Sequence, residues 1–247
     1  MPSPEIFKFA SADEISTALD HFIAQASHDA IARSGRFTVT LSGGSLPKVL
    51  AAKLKSNTTV EWSKWHVFFA DERCVPHDHD DSNYLLAKQQ LLDSVPIPAN
   101  QVHPINPALV NDRHAAAKDY VQQLKSVFGE ELPSFDVNLL GIGPDGHCCS
   151  LFPGHPLLDV KDTWVASLDD SPKPPPSRIT LTYPVINNAD TNVFVVTGEG
   201  KADVFHQIID LKEPLPSGRV QAKRRLIWFV DNGAAGKLKA STLKYSL

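Results

Sequence analysis

Short apolar and β-branched runs alternate along this chain with stretches of helical periodicity, and that alternation narrows the fold more than any other feature. The runs are Phe37–Leu41, Trp65–Ala70, Phe135–Ile142, Thr163–Leu168, Asn192–Thr197 and Leu226–Val230. Helical patterns lie between them near 13–33, 46–55, 83–93, 112–128 and 200–211. Ser11 with Glu14 three residues on forms a capping box for the first helix, and Pro47 suits the first turn of the next. Strand–helix alternation of this kind predicts an α/β chain with a mostly parallel, Rossmann-like sheet covered on both faces.

The length, 247 residues, suits one domain spanning 1–247 and can bury a large core without disulfide or metal staples. A hydrophobic fraction of 42% with 21% charged residues excludes a disordered or fibrous chain. The net charge of −4 supplies no general field for nucleic acid or an acidic membrane surface, so an anionic ligand needs local donors. Three cysteines, two of them adjacent (Cys148 and Cys149), do not make a disulfide framework and suit a reducing compartment. The first residues lack the pattern of a secretory signal, and no apolar run approaches the ~18 residues of a membrane span. The terminal Tyr245-Ser246-Leu247 falls short of a peroxisomal signal, and the expected location is the cytosol.

Each distinctive loop follows a strand: SGGS after the first, DERCVP after the second, GPDGH after the third, TGEGK after the fifth. In open α/β sheets ligands bind beyond the carboxyl ends of the strands, so these loops would assemble one site. Ser42, Gly43, Gly44 and Ser45 lie between a strand and a helix, where close backbone approach and free N–H groups favour phosphate. The alternative is a plain structural turn, and the GxxxxGK[ST] pattern of a Walker loop is absent. The 141–146 stretch matches GxGxxG, but Asp145 would put negative charge where a pyrophosphate should lie and Pro144 removes a donor, which argues against a dinucleotide.

His147 follows that loop, where an imidazole can take a proton from water near neutral pH, and Asp145 could orient its ring. Asp71, Glu72 and Arg73 close the second run, either as a solvated charge cluster or with Arg73 as an anion clamp or electrophilic partner and Asp71 as a sugar-hydroxyl contact. Arg178 and Lys201 read equally as surface charge or phosphate ligands. The stretch from His77 to Asp81 has no zinc-site spacing, no GxSxG elbow exists, and Cys148 and Cys149 read as buried packing residues. Ser171 to Pro176 reads as a stiff surface loop.

Taken together, LSGGSLP at 41–47, ADERCVP through DDSNY, LLGIGPDGHCCSLFPGHPLL at 139–158, DSPKPPPSRITLTYPVIN at 170–187, TGEGKA at 197–202 and IWFVD at 227–231 resemble the 6-phosphogluconolactonase family over nearly the whole chain. The resemblance implies a three-layer α/β/α sandwich shared with glucosamine-6-phosphate deaminases. It implies hydrolysis of 6-phospho-D-glucono-1,5-lactone in the pentose phosphate pathway, with no metal, cofactor or obligate protein partner. It makes His147 the general base with Asp145 beside it, sets the SGGS loop, Lys201 and Arg178 on the phosphate, and puts Arg73 in the site. On this reading activity falls as His147 protonates, at about pH 6 to 7. One stretch departs from the family's small, apolar run: Ser217 to Arg225 is unusually basic and reads as a solvated loop. The rival readings are a phosphosugar isomerase/deaminase, tested by ammonia release, and a non-catalytic phosphosugar sensor, for which the chain lacks a DNA-binding module.

Overall fold

A computed structural model of the chain describes residues 2–246. Its elements run β1 (Glu5–Phe9), α1 (Ala12–Ser34), β2 (Phe37–Leu41), α2 (Leu46–Leu54), β3 (Trp65–Phe69), β4 (Asp71–Arg73), α3 (Asn83–Gln90) and α4 (Arg113–Phe128). There follow β5 (Val137–Leu140), β6 (Val165–Leu168), β7 (Arg178–Leu181), α5 (Tyr183–Asn187), β8 (Thr191–Val196), α6 (Ala202–Ile209) and β9 (Arg225–Asp231). The helix ends carry their expected chemistry. Ser11 accepts from the Glu14 N–H, the Glu14 carboxylate accepts from the Ala10 N–H, and left-handed Gly35 closes α1 by donating to the Ile31 carbonyl. Asp112 caps α4 in the same way through the N–H groups of His114 and Ala115.

Six strands form one sheet in the order β1-β9-β8-β5-β2-β3, and every pair in it is parallel. The two-residue period of the strands divides their side chains between two cores. Val67, Val193, Ile227 and Phe229 pack with Leu19 and Ile23 of α1 and Leu50 and Leu54 of α2. Phe68, Phe194, Trp228 and Val230 face the other way, onto Tyr120 and Leu124 of α4, Ile186 of α5 and Phe205 of α6. Helices therefore cover both faces, and a three-layer sandwich results. From β2 the chain steps outward to β3, then returns to β5 on the other side of β2. The order reverses between β2 and β5, and at such a switch point the loops leaving neighbouring strands diverge and open a crevice.

A polar ladder crosses the sheet inside the second core. Thr40 donates to the Asn138 Oδ1 at 2.8 Å, and Asn138 donates to the Asn192 Oδ1 at 2.8 Å and to the Ile186 carbonyl. All three side chains are fully buried, and register sets them side by side on β2, β5 and β8. The ladder ties the end of α5 to the sheet.

Three readings of the sequence change. The run at 163–168 contributes β6, but not to the main sheet: β4, β7 and β6 form a separate antiparallel sheet. The chain breaks at Ala70, so Asp71–Arg73 becomes its own strand paired with β7 instead of a loop closing β3. The Glu5–Phe9 strand and the α5 helix were not anticipated, because each is too short for periodicity to declare it; β1 gains its stability from pairing with β9.

Candidate active site

The SGGS loop leaves β2 at the switch point. Gly44 sits at φ +73°, in the left-handed region that side chains disfavour. Gly43 is required for another reason: a Cβ there would lie 2.1 Å from the Asn83 Oδ1. The N–H groups of Gly43, Gly44 and Ser45 find no backbone acceptor among the described residues, and Ser45 makes no side-chain cap to α2. These donors face a cavity of about 240 Å³.

Asn83 reaches the loop because Glu72 holds the start of α3. The Glu72 carboxylate, 1% exposed, accepts from the N–H groups of Arg73, Asn83 and Tyr84, each at 2.8 Å. Burial pushes Glu72 up to about 7 against the pull of those three donors. Asn83 in turn donates to the Asp71 carbonyl at 2.9 Å, which aims its Oδ1 away from Asp71. That Oδ1, the Ser42 hydroxyl and the Arg73 Nε are buried without a hydrogen-bond partner among the described residues.

The small sheet brings two predicted residues together that lie far apart in sequence. Arg73 and Arg178 are register partners on β4 and β7. Asp71 accepts from the Ser150 hydroxyl at 2.7 Å and lies 3.9 Å from Arg178. Arg178 is not an open cation at the sheet edge. Its side chain is 3% exposed and donates to the carbonyls of Lys173, Pro174 and Pro175 and weakly to Ser150, which takes up most of its five N–H donors. Arg73 donates to the Asp81 carbonyl at 2.6 Å.

In the GPDGH loop, His147 Nδ1 meets Asp145 Oδ1 at 2.5 Å, and its ring packs on Phe152 at 4.7 Å between centroids. With Nδ1 so engaged, Nε2 is the ring nitrogen without a protein partner among the described residues. Burial lowers the His147 pKa below its ordinary 6.5, and Lys173 adds to that, against the opposing pull of Asp145. Burial works against the Asp145 charge, yet His147 and Lys173 together hold its carboxyl below the usual carboxylate range. Gly143 lies under the ring, where a Cβ would come within 2.0 Å of two imidazole atoms. Gly146, at φ +81°, offers its carbonyl to the N–H and hydroxyl of Ser217. Past His147, Cys149 lines the cavity at φ +51°, a left-handed conformation unusual for cysteine.

Lys201 lines the cavity from the start of α6, on a loop whose Gly198 N–H is held by Asp231. Burial, with Lys173 nearby, lowers its pKa. The cavity is thus lined by Ser42, Gly43, Gly44, Ser45, Asp71, Arg73, His147, Arg178 and Lys201, with Asp145 behind the histidine. All ten predicted residues converge on one crevice.

A family model described as glucosamine-6-phosphate isomerases/6-phosphogluconolactonase matches residues 10–228. The chain belongs to this family. Within it, a 6-phosphogluconolactonase of Rattus norvegicus is 45% identical over 99% of this chain and 98% of the relative. A probable 6-phosphogluconolactonase of Schizosaccharomyces pombe is 44% identical over 97% and 98%. A solved structure of 6-phosphogluconolactonase from Trypanosoma cruzi superposes with a TM-score of 0.85 at 28% identity, over 96% of this chain and 98% of that one.

Four residues in or behind this family member's crevice are not singled out by the sequence. Asn83 and Glu72 were visible only as a polar residue opening a helix and one acid of a charged triplet. Lys173 lies in a stretch that reads in sequence as a stiff surface loop, yet its ammonium stands 3.2 Å from His147 and 3.3 Å from Asp145. Ser217 opens a stretch that reads in sequence as a solvated loop, but it is fully buried and donates to the Gly146 carbonyl. The basic residues after it are also engaged: Arg219 stacks over Tyr183 at 4.9 Å, and Arg225 makes two 2.8 Å bonds to Glu5. Among the described residues no three His, Cys, Asp or Glu side chains gather as a metal set; His77 bonds the Ile105 carbonyl instead. No helix among them is long and apolar enough to cross a membrane.

Proposed function

We propose that the protein is a 6-phosphogluconolactonase that hydrolyses 6-phospho-D-glucono-1,5-lactone to 6-phosphogluconate in the oxidative pentose phosphate pathway. The observation that carries the reading is the His147–Asp145 pair at 2.5 Å, opening onto a cavity ringed by cations and unpaired backbone N–H groups. The lactonase names of relatives 44–45% identical over nearly the full chain support this branch over the isomerases that share the family description.

The N–H groups of 43–45 with Lys201 hold the 6-phosphate, and Arg178 contributes its remaining N–H. Neutral His147, oriented by Asp145, removes a proton from water at Nε2 as the water oxygen attacks C1. Arg73 and nearby N–H groups stabilise the oxyanion, a role worth about 3–4 kcal/mol in comparable sites. The intermediate then collapses by breaking the bond between C1 and the ring oxygen. That oxygen takes the proton back from the imidazolium, leaving a hydroxyl and the free acid, which ionises to water. Asp71 and the acceptor of Asn83 are placed to read sugar hydroxyls. The chemistry asks for no metal or cofactor. Three free thiols support a reducing compartment such as the cytosol.

The test is loss of the lactone, generated in situ by glucose-6-phosphate dehydrogenase, above its spontaneous rate. Wild type accelerates it, and His147→Ala falls by roughly 10²–10⁴ while remaining folded by circular dichroism. A wild type that adds nothing to background ends the lactonase reading, and an active His147→Ala ends the assignment of the base.

A further inference from the structure

We propose that Lys173 is a positioning residue for this reaction, its ammonium sharing Asp145 with His147 so that the imidazole stays uncharged and ready to accept a proton. The residue belongs to the proline-rich connection between β6 and β7, which the sequence reading left without a role. Its Nζ lies 3.3 Å from Asp145 Oδ1 and 3.2 Å from His147 Nδ1. An ammonium has three donors and no acceptor, and an Nδ1 whose proton points at Asp145 has no lone pair to offer it. The contact with the ring is therefore charge proximity, and the hydrogen bond goes to the carboxylate.

The fold builds this placement deliberately from both sides of the residue. The Ser171 hydroxyl accepts from the Lys173 N–H at 3.2 Å and donates to its carbonyl at 2.8 Å. The buried Arg178 guanidinium donates to the same carbonyl at 2.8 Å and to the carbonyls of the two prolines that follow. Four prolines, at 172, 174, 175 and 176, restrict the loop further. Arg178 thus clamps the segment that delivers Lys173, which explains why so much of it is spent on carbonyls.

A carboxylate facing histidine alone would stabilise the imidazolium and idle the base near neutral pH. With a permanent cation on the same oxygen, that stabilisation is reduced and direct repulsion is added. The other charged groups around His147 do not duplicate the effect. Asp71 faces it from β4 and favours the charged ring, while Lys201, Arg73 and Arg178 line the same cavity without a hydrogen bond or ion pair to His147 or Asp145 among the described residues, Lys201 near enough to feel the charges of Lys173 and Asp145. Among the described cationic side chains, only Lys173 touches the pair.

The inference rests on His147 acting as the base, so the test reads the histidine both directly and through catalysis. The His147 imidazole is titrated by NMR in wild type, Lys173→Met and Lys173→Arg, its signal assigned by its absence in His147→Gln. The profile of kcat/KM against pH is measured on the same proteins. Lys173→Met is expected to move the titration up by about one unit and the acid limb of the profile with it. Activity then drops up to about tenfold below the limb and recovers above it, and Lys173→Arg restores both. An unmoved titration overturns the proposal. A rise in KM equal at every pH, with the titration unmoved, also overturns it and makes Lys173 a substrate ligand. A titration that moves while the kinetic limb stays put overturns the link to catalysis and traces the failure to the base assignment.

Discussion

At the scale of single residues, the site is governed by what glycine lacks. Gly143 does not need a positive φ; it needs to have no side chain, because His147 and Asp145 occupy the space a Cβ would fill. Gly143→Ala therefore displaces the imidazole without straining the backbone. Misplacing a catalytic group by about 1 Å costs on the order of 10²-fold, so kcat should fall by about that factor with Tm little changed. Lactone hydrolysis assays beside thermal denaturation decide the matter, and an alanine variant with wild-type kcat would show that the ring is not held where the reaction needs it. A pH prediction belongs to the same scale and rests on His147 acting as the base. An unperturbed histidine would set the acid limb at about 6 to 7; burial, with Lys173 adding to it, lowers the His147 value below 6.5, so the acid limb of kcat/KM against pH is expected below that of a free histidine.

At the scale of elements, α3 depends on a buried acid. Glu72 binds the N–H groups at the start of the helix, and its folded pKa of about 7 stands above the ordinary 4.5. A raised folded pKa means that the folded chain holds the proton more tightly, so this contribution to stability is full below about 4.5 and is lost as pH rises through about 7. The full effect is about 3 kcal/mol at most. Chemical denaturation of wild type and Glu72→Gln at pH 5 and pH 8 checks it: wild type should lose stability relative to the glutamine variant as pH rises. A difference independent of pH would mean that Glu72 stays ionised throughout, its N–H donors having outweighed burial.

At the scale of the whole molecule, the two cores meet through a sheet whose centre is not wholly apolar. Thr40, Asn138 and Asn192 satisfy one another at full burial and fasten α5 through the Ile186 carbonyl. Asn138→Ala strands the Thr40 hydroxyl and the Asn192 carbonyl oxygen together. Buried groups left unpaired cost about 1–3 kcal/mol each, so Tm should fall by roughly 5–15 °C in calorimetry. A shift within a degree or two would mean that water or neighbouring groups replace the ladder.

The layered α/β plan was legible because it rests on local regularities: apolar runs, helical period, capping residues and glycine-rich turns are properties of neighbours in the chain. The segments at 42–45, 71–73, 145–147 and 197–201 were legible for the same reason, and the fold carried them to one crevice. What the chain order could not express was the small antiparallel sheet, since β4 and β7 lie about a hundred residues apart and pair only across the fold. That pairing turned Arg178 from an open cation into a clamp and carried Lys173, an ordinary residue of a proline loop, to the side of His147. Chain-local patterns thus determined the layers and the histidine loop. Beyond Asp145, which the loop itself supplies, tertiary structure alone decided which charges surround that histidine, because electrostatic coupling depends on distance through space and not along the chain.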